Sequence, residues 1–305
     1  KMARIAPWSV FTGFAEQQTD IHALEERFKL LSYISELRTT PLADMLEEDR
    51  LAFAGKHTAK HDHSVYNFDI EWFASTKGAK VFHILLQSQP NDFDAALAHI
   101  PLEGEVTQAQ YQDFVAAYSK IFTSYTESKP AGEKAPLAPA TRLLAMRRPD
   151  QFIALTNAKI DILCQGLSIA KFNGFNFNAY WQDMIGTLRT FAWWNTAQPT
   201  DEADLKVWNA RAVLIDLFIY ADESLAQGSN YLKLRDKTLK NKGRAGSGSV
   251  ARKRSKESAE MLVDRALAAD DIPEYLLGKR DSIINGVKDG KSVEHVIGLM
   301  RAIFG

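Results

Sequence analysis

Residues 107–125 read "TQAQYQDFVAAYSKIFTSY", and the spacing of their apolar side chains indicates an amphipathic helix. Apolar residues recur three or four positions apart, which places them on one helical face. These residues are Tyr111, Phe114, Val115, Tyr118, Ile121 and Phe122. Similar spacing occurs within residues 10–55, 178–194 and 202–221. The chain is therefore expected to be mostly α-helical.

A segment between the helical regions has a different period. In "YNFDIEWF" (66–73), aromatic and aliphatic residues alternate with Asn67, Asp69 and Glu71. Such alternation is typical of a strand with one apolar and one acidic face. The turn-like "STKG" and the apolar "AKVFHILLQ" (79–87) come next and predict a second strand. The predicted fold class is therefore α+β, mostly α, with helical domains and one β-hairpin at about residues 64–88.

Proline, glycine and charge mark the expected domain boundaries. The stretch "TESKPAGEKAPLAPA" (126–140) contains three prolines, and this composition predicts an interdomain linker. A second boundary is expected at the basic residues 233–256. The predicted order is a helical domain with the hairpin (1–125), the linker (126–140), a helical domain (141–232), a basic mobile segment (233–256) and C-terminal helices (257–305).

The overall composition narrows the class of protein. With 305 residues, 46% of them hydrophobic and 25% charged, the chain has the composition of a globular protein with a sizeable core. Its single cysteine, Cys164, excludes a disulfide framework and any zinc site built from several cysteines. The most apolar run, "RAVLIDLFIYA" (211–221), is about half as long as a membrane span and contains Arg211 and Asp216. A cytoplasmic protein without a membrane partner is expected.

Charge is distributed very unevenly along the chain. Residues 233–256 contain ten basic residues and one acidic residue, Asp236, and therefore carry a charge of +9. The whole chain has a net charge of −1, so the remainder carries −10. Such asymmetry bears on binding partners rather than on the fold.

The basic segment predicts binding to nucleic acid. Lys and Arg spaced among Gly and Ser cannot bury apolar surface, which predicts a mobile segment. Cations in such a segment neutralise phosphates and release counterions, so they bind with little sequence preference. The chain is therefore interpreted as a nucleic-acid-binding accessory protein without enzymatic activity, with DNA favoured over RNA. The predicted contact residues are Lys233, Arg235, Lys237, Lys240, Lys242, Arg244, Arg252, Lys253, Arg254 and Lys256.

Other interpretations of the same segment remain open. A solvated linker whose charges keep the protein soluble is the second interpretation, and a surface for an anionic membrane is a further one. In a further hypothesis the chain is a protein–protein interaction module, and the segment docks an acidic protein partner.

An enzymatic alternative rests on the predicted hairpin. Asp69 and Glu71 would project from one strand, and His83 on the second strand could lie close to them. Paired carboxylates can hold a divalent cation for phosphodiester hydrolysis, which would make the chain a metal-dependent nuclease. However, the second strand lacks the acid–x–lysine triplet expected of such nucleases.

Histidines supply a weaker metal-site candidate. His57, His61 and His63 lie in "KHTAKHDH" (56–63), and residues four apart share a face if they are helical. Gly55 nearby favours a loop, in which no such face exists. Neither a resident metal nor an organic cofactor is predicted.

The tryptophans of residues 181–208 are expected to pack in the core. Trp181 and Trp208 lie on apolar stripes, which favours burial over base stacking. Trp193 and Trp194 are adjacent, so one of them is expected to point away from the core and to offer an interface.

Part of the predicted second helical domain resembles other bacterial proteins. The segments are "RRPDQFIALTNAKIDILCQGLSI" (147–169), "YWQDMIGTLRTFAWWN" (180–195) and "WNARAVLIDLFIYAD" (208–222). Within residues 141–222 they resemble uncharacterised bacterial proteins associated with restriction or phage-defence genes. This resemblance implies a role in bacterial DNA defence or mobile-element biology, and it assigns no site residue.

Overall fold

The computed structural model describes residues 24–58, 60–61, 72–219 and 258–304, and every regular element in these ranges is helical. The helices of eight or more residues are α1 (Leu24–Leu37), α2 (Glu47–Ala54), α3 (Lys80–Ser88), α4 (Pro90–Leu97), α5 (Gln108–Thr123), α6 (Leu137–Arg147), α7 (Asn157–Leu167), α8 (Glu202–Asn209), α9 (Ala259–Leu267), α10 (Arg280–Lys288) and α11 (Val293–Phe304). Shorter helical pieces are Leu42–Asp44, Phe177–Ala179, Tyr180–Ile185 (a π-helical turn), Gly186–Leu188, Val213–Ile215, Asp216–Ile219 and Glu274–Leu277. The expectation of a mostly helical chain is confirmed. None of these helices is long and apolar enough to cross a bilayer.

The predicted α+β class and its β-hairpin at 64–88 are wrong. Residues 80–88, the core of the predicted second strand, form α3. Phe82, Leu85 and Leu86 are buried on one side of this helix, whereas Ile84 is 48% exposed. Residues 66–71 of the predicted first strand lie outside the described residues. Just after them, Phe73 and Ala74 have left-handed φ angles of 59° and 69°, which a strand does not allow.

The helix predicted within 107–125 is present as α5. Thr107 accepts a hydrogen bond from the backbone N–H of Gln110, and the Gln110 side chain accepts one from the Thr107 N–H. This reciprocal pair is a capping box, which satisfies donors that would otherwise lack partners. The buried residues of α5 are Tyr111, Phe114, Tyr118, Ile121 and Phe122, five of the six predicted.

The chain divides into two compact units, Lys1–Leu239 (unit 1) and Lys240–Gly305 (unit 2). Within unit 1, α6 is the most deeply buried helix, with nine of its eleven residues buried. A helix that is apolar on all sides belongs in the middle of a core. The proline-rich residues 126–140 lead directly into this helix and lie within unit 1.

Arg142 joins α6 to two other parts of unit 1. Its side chain is fully buried, and its guanidinium donates hydrogen bonds to the carbonyl oxygens of Ala52 (2.8 Å), Phe53 (3.2 Å), Phe73 (2.9 Å) and Trp72. Carbonyl groups at the end of a helix lack partners within it. Arg142 therefore supplies donors to the end of α2 and to the irregular segment after residue 71.

A buried ion pair connects the two ends of the described part of unit 1. Arg27 of α1 donates from Nη1 to Oδ2 of Asp216 at 2.8 Å, across 189 positions of sequence. Both side chains are about 95% buried. The Arg27 guanidinium also stacks over the rings of Trp72 and Phe73.

The described part of unit 2 is a small helical assembly of α9, Glu274–Leu277, α10 and α11. Ser258 caps α9 by accepting from the Met261 N–H, and Ser292 accepts from the His295 N–H at the start of α11. The core of this unit consists of Val263, Leu267, Leu276, Ile283, Ile284, Val296 and Ile297.

Candidate functional site

A cavity of about 550 Å³ lies in unit 1 where three helices begin. Its walls include residues from the first turns of α3 (80–82), α6 (138–139) and α7 (157), together with the residues just before these helices. These turns come from parts of the chain that are far apart in sequence. The cavity is called the three-helix cleft below.

None of the three helix starts at the cleft is capped by a side chain. The residues before the first turns are Ala79, Pro136 and Thr156, and no side-chain hydrogen bond caps any of them. By contrast, Thr107 caps α5 and Asp201 caps α8. The amide groups of a helix start carry partial positive charge.

Backbone carbonyl groups satisfy part of these helix starts, since the Leu137 N–H donates to the Gly174 carbonyl at 2.8 Å, the Lys80 N–H donates to the Gly78 carbonyl at 3.1 Å, and Pro139 has no N–H. The backbone contribution to a positive potential at the cleft is therefore that of the helix dipoles.

Charged side chains at the cleft add to this potential. Lys80 and Lys134 line it and are exposed, and the Lys134 ammonium lies 5.6 Å from the centre of the Phe175 ring. The one acidic lining residue, Glu133, pairs with Lys129 at 3.1 Å. The lining thus has two cations and one carboxylate that is already paired. This arrangement attracts anionic groups such as phosphate or carboxylate.

Glycine at position 132 shapes the turn that places Glu133 and Lys134 at the cleft. Gly132 has a φ of 76°, and a Cβ atom there would lie 2.1 Å from the carbonyl oxygen of Thr123. Only glycine fits this left-handed turn against α5. The turn is fixed further by the Glu133 N–H, which donates to the Phe122 carbonyl at 3.1 Å.

A second cationic feature of unit 1 is a stack of arginine and tryptophan. The Arg211 guanidinium carbon lies 4.4 Å from the ring centre of Trp194 and 4.0 Å from that of Trp208. Arg211 is only 7% exposed, and burial lowers its pKa. Among the described residues its Nε atom has no hydrogen-bond partner, whereas its Nη1 donates to the Trp208 carbonyl at 3.3 Å. The two aromatic faces add cation–π stabilisation.

The stack corrects one expectation about the tryptophans. Trp193 is fully buried and Trp194 is 8% exposed, so neither points away from the core as predicted for one of them. Trp181 is also buried, at 8% exposure, and lies under the guanidinium of Arg189 at 4.6 Å. Cys164 is fully buried, and burial raises its pKa, which makes it an unreactive apolar residue.

All ten predicted nucleic-acid contacts lie outside the described residues. They are Lys233, Arg235, Lys237, Lys240, Lys242, Arg244, Arg252, Lys253, Arg254 and Lys256, within the range 220–257 that the structure leaves undescribed. Their predicted role therefore stays a prediction.

The histidine candidates do not form a metal site in the part of the chain that is described. His57 and His61 are both buried, with ring centres 5.6 Å apart. The Nδ1 atom of His61 accepts from the Thr58 N–H at 3.0 Å, and its Nε2 lies 2.7 Å from the Glu48 carbonyl oxygen. Burial, followed by the charge of Arg142, lowers the pKa of His57 to about 2. His63 lies outside the described residues, and no cluster of three potential ligands occurs within them.

The proposed nuclease site loses the geometry on which it depended. Asp69 and Glu71 lie outside the described residues, and His83 is on α3 rather than on a strand paired with them. The Nε2 atom of His83 lies 2.9 Å from Oγ1 and 3.1 Å from the carbonyl oxygen of Thr76. Burial, and then the charge of Lys56, lowers its pKa to about 4. His83 is thus a neutral, half-buried residue that connects α3 to the segment before it.

Comparison with known proteins assigns no function to the three-helix cleft or to the stack of Arg211 with Trp194 and Trp208. No family model matches the chain, and no match is found among curated proteins or solved structures.

Proposed function

We propose that this protein binds nucleic acid with little sequence preference and that residues 233–256 make the main phosphate contacts. The observation that carries the proposal is the charge of +9 in these 24 residues against −10 in the rest of the chain. A cationic stretch of this density gains affinity by displacing counterions from phosphates. The resemblance of residues 141–222 to bacterial proteins near restriction or phage-defence genes adds a DNA-defence setting to the proposal.

The helices that follow the basic segment carry none of the excess positive charge. Residues 258–304 contain six basic and eight acidic residues, a net charge of −2. Several of these cations pair within the unit: Arg280 with Asp264 at 2.6 Å and Lys288 with Glu260 at 2.6 Å. The helices therefore contribute no surplus of positive charge, which supports the segment as the polyanion contact.

The three-helix cleft extends the proposal to the folded part of unit 1. Its uncapped helix starts and its two exposed lysines attract phosphate groups. We propose that the cleft takes a phosphate of a bound strand as a secondary contact.

The test is a titration with labelled duplex DNA at several salt concentrations. The variant R252A/K253A/R254A should bind more weakly than the wild type. Its slope of log affinity against log salt should be shallower by up to about 2.7, since each lost phosphate contact removes about 0.9. Single-stranded DNA and RNA probes in the same series establish which nucleic acid is preferred.

A matched control separates the segment from general charge. The variant K29A/K171A/K206A removes three exposed lysines of unit 1 that lie outside the cleft lining, and Lys29 and Lys171 pair with neighbouring carboxylates. It lowers the net charge by the same three units and should bind like the wild type. Unchanged binding of the segment variant, or equal losses in both variants, would overturn the proposal. A wild-type protein that binds none of the probes at low salt would favour the acidic protein partner instead.

A further inference from the structure

The three-helix cleft has an exposed aromatic ring in its wall. Phe175 lines the cleft and is 52% exposed. The other lining phenylalanines, Phe82 and Phe122, are both 1% exposed and belong to the core of unit 1. The ring of Phe175 is therefore the aromatic surface that a molecule in the cleft can contact.

The loop that carries Phe175 is fixed against two of the helix starts. The Phe175 N–H donates to Oδ1 of Asn173 at 2.9 Å. The carbonyl group of Gly174 accepts from the N–H of Leu137, the first residue of α6, at 2.8 Å. A Cβ atom at position 174 would lie 2.5 Å from Oδ1 of Asn157, the first residue of α7, so the loop also packs closely against that helix. These contacts hold the backbone that carries the ring at the edge of the cleft.

A cation lies beside this ring in a cavity large enough for a small molecule. The Lys134 ammonium is 5.6 Å from the centre of the Phe175 ring. A phosphate paired with Lys134 would therefore bring the group attached to it within reach of the ring. The cavity of about 550 Å³ falls within the range of roughly 300–1,000 Å³ that small-molecule sites occupy.

An exposed aromatic ring beside lysines matches a molecule that has both a phosphate and a planar aromatic group. Inorganic phosphate would leave the ring unused, and an apolar ligand would leave the lysines unused. A nucleotide has both groups, because its phosphate pairs with lysine and its base stacks on an aromatic side chain.

We propose that the three-helix cleft binds a nucleotide, with the phosphate at Lys80 and Lys134 and the base against Phe175. This inference rests on the phosphate contact proposed above for the cleft, and it does not require binding by residues 233–256. Every base has a face that can stack, so the site accepts any of them.

Calorimetric titration of the full-length protein with three probes tests the proposal. Adenosine monophosphate should bind more tightly than adenosine or ribose phosphate, because only the nucleotide contacts both the lysines and the ring. Phe175→Ala should weaken the binding of adenosine monophosphate about 5- to 150-fold, the range for the loss of one stacking contact. The same change should leave the binding of ribose phosphate unaffected. Phe175→Tyr keeps an aromatic ring and should bind all three probes like the wild type.

The matched control removes an exposed phenylalanine beside a lysine in unit 2. Phe304 is 49% exposed, and the Lys279 ammonium lies 4.4 Å from its ring centre, but neither residue lines the cleft. Phe304→Ala should therefore bind adenosine monophosphate like the wild type. A wild type that binds no adenosine monophosphate would overturn the proposal, and so would equal losses in Phe175→Ala and Phe304→Ala.

The nucleotide can be free in solution or part of a single strand, and a further comparison distinguishes these sources. If Phe175→Ala weakens both a short single-stranded oligonucleotide and adenosine monophosphate, the source is a strand. A loss for adenosine monophosphate alone identifies a free nucleotide. Duplex DNA should bind Phe175→Ala like the wild type, because its bases already stack on one another.

The variant R252A/K253A/R254A keeps this test separate from that of the basic segment. It should bind adenosine monophosphate like the wild type, since the cleft is unchanged. Weaker duplex binding with unchanged nucleotide binding in this variant would support both proposals, and each can therefore fail without the other. Loss of nucleotide binding in this variant would overturn the cleft as the nucleotide site.

Discussion

At the scale of single residues, the most consequential side chain is Arg142. Its guanidinium supplies donors to four backbone carbonyl groups in the interior of unit 1. Removing it leaves these acceptors without their donors in a buried place, which costs more than the bonds themselves contribute. We expect Arg142→Met to lower the free energy of unfolding by at least about 3 kcal/mol, measured by urea denaturation. Lys171→Met, at an exposed ion pair, should change it by less than about 0.5 kcal/mol; similar values for both would refute the role given to Arg142.

His83 makes the stability of unit 1 depend on acidity. Its pKa is lowered to about 4 by burial and by Lys56, whereas a histidine in the unfolded chain titrates near 6.5. Below pH 6.5 the His83 side chain therefore binds a proton in the unfolded chain, whereas in the folded chain it binds one only below about pH 4. The free energy of unfolding should fall through this window by up to about 1.4 kcal/mol per pH unit for this residue. His83→Gln should flatten the fall and His99→Asn, at an exposed position, should not; an unchanged slope in His83→Gln would contradict the assignment.

At the scale of elements, residues 79–87 show why hydrophobic periodicity led to a wrong prediction of a strand. An apolar run of this length matches both a buried strand and a helix, and the alternation just before it favoured the strand. The long amphipathic pattern of α5 was unambiguous and was confirmed. The segment 202–221, predicted as one helix, is instead divided into α8 and two short pieces before residue 220. Helix propensity does not predict such breaks, because packing within the core determines where they occur.

The identity of α3 as a helix is testable with two neighbouring positions. Leu85 is fully buried and Ile84 is 48% exposed, whereas a buried strand would make both positions intolerant of charge. Leu85→Lys should destabilise the protein by at least about 4 kcal/mol, and Ile84→Lys should change the free energy of unfolding by no more than about 0.5 kcal/mol. Thermal or urea unfolding measures both. Comparable losses at the two positions would speak against the helix.

At the scale of the whole molecule, the candidate sites differ in how far the sequence predicts them. The positive charge of residues 233–256 follows from the sequence composition alone. The three-helix cleft cannot be predicted in this way, because no motif connects the residues of its walls. These are residues 75–76, 78–82, 122, 133–134, 136, 138–139, 156–157 and 175. The stack of Arg211 between Trp194 and Trp208 was not predicted for the same reason. The unusual arginine in "RAVLIDLFIYA" was nevertheless a visible signal in the sequence.

The cleft makes its own prediction for nucleic-acid binding. Lys80→Ala/Lys134→Ala should lower the affinity for duplex DNA at low salt and reduce the salt slope by up to about 1.8, two contacts at about 0.9 each. Both lysines are exposed, so the fold should tolerate the change. Lys29→Ala/Lys171→Ala removes two cations from ion pairs outside the cleft and should leave the slope unchanged. A slope that stays at the wild-type value in both variants would remove the cleft from the proposal.

The ion pair of Arg27 with Asp216 has a consequence for the folding of the protein during translation. At about 5–20 residues per second, the aspartate is synthesised about 10 to 40 seconds after the arginine. During that interval α1 has left the exit tunnel but cannot yet make its carboxylate contact. Unit 1 therefore completes its interior late in translation, when most of its chain is already outside the tunnel.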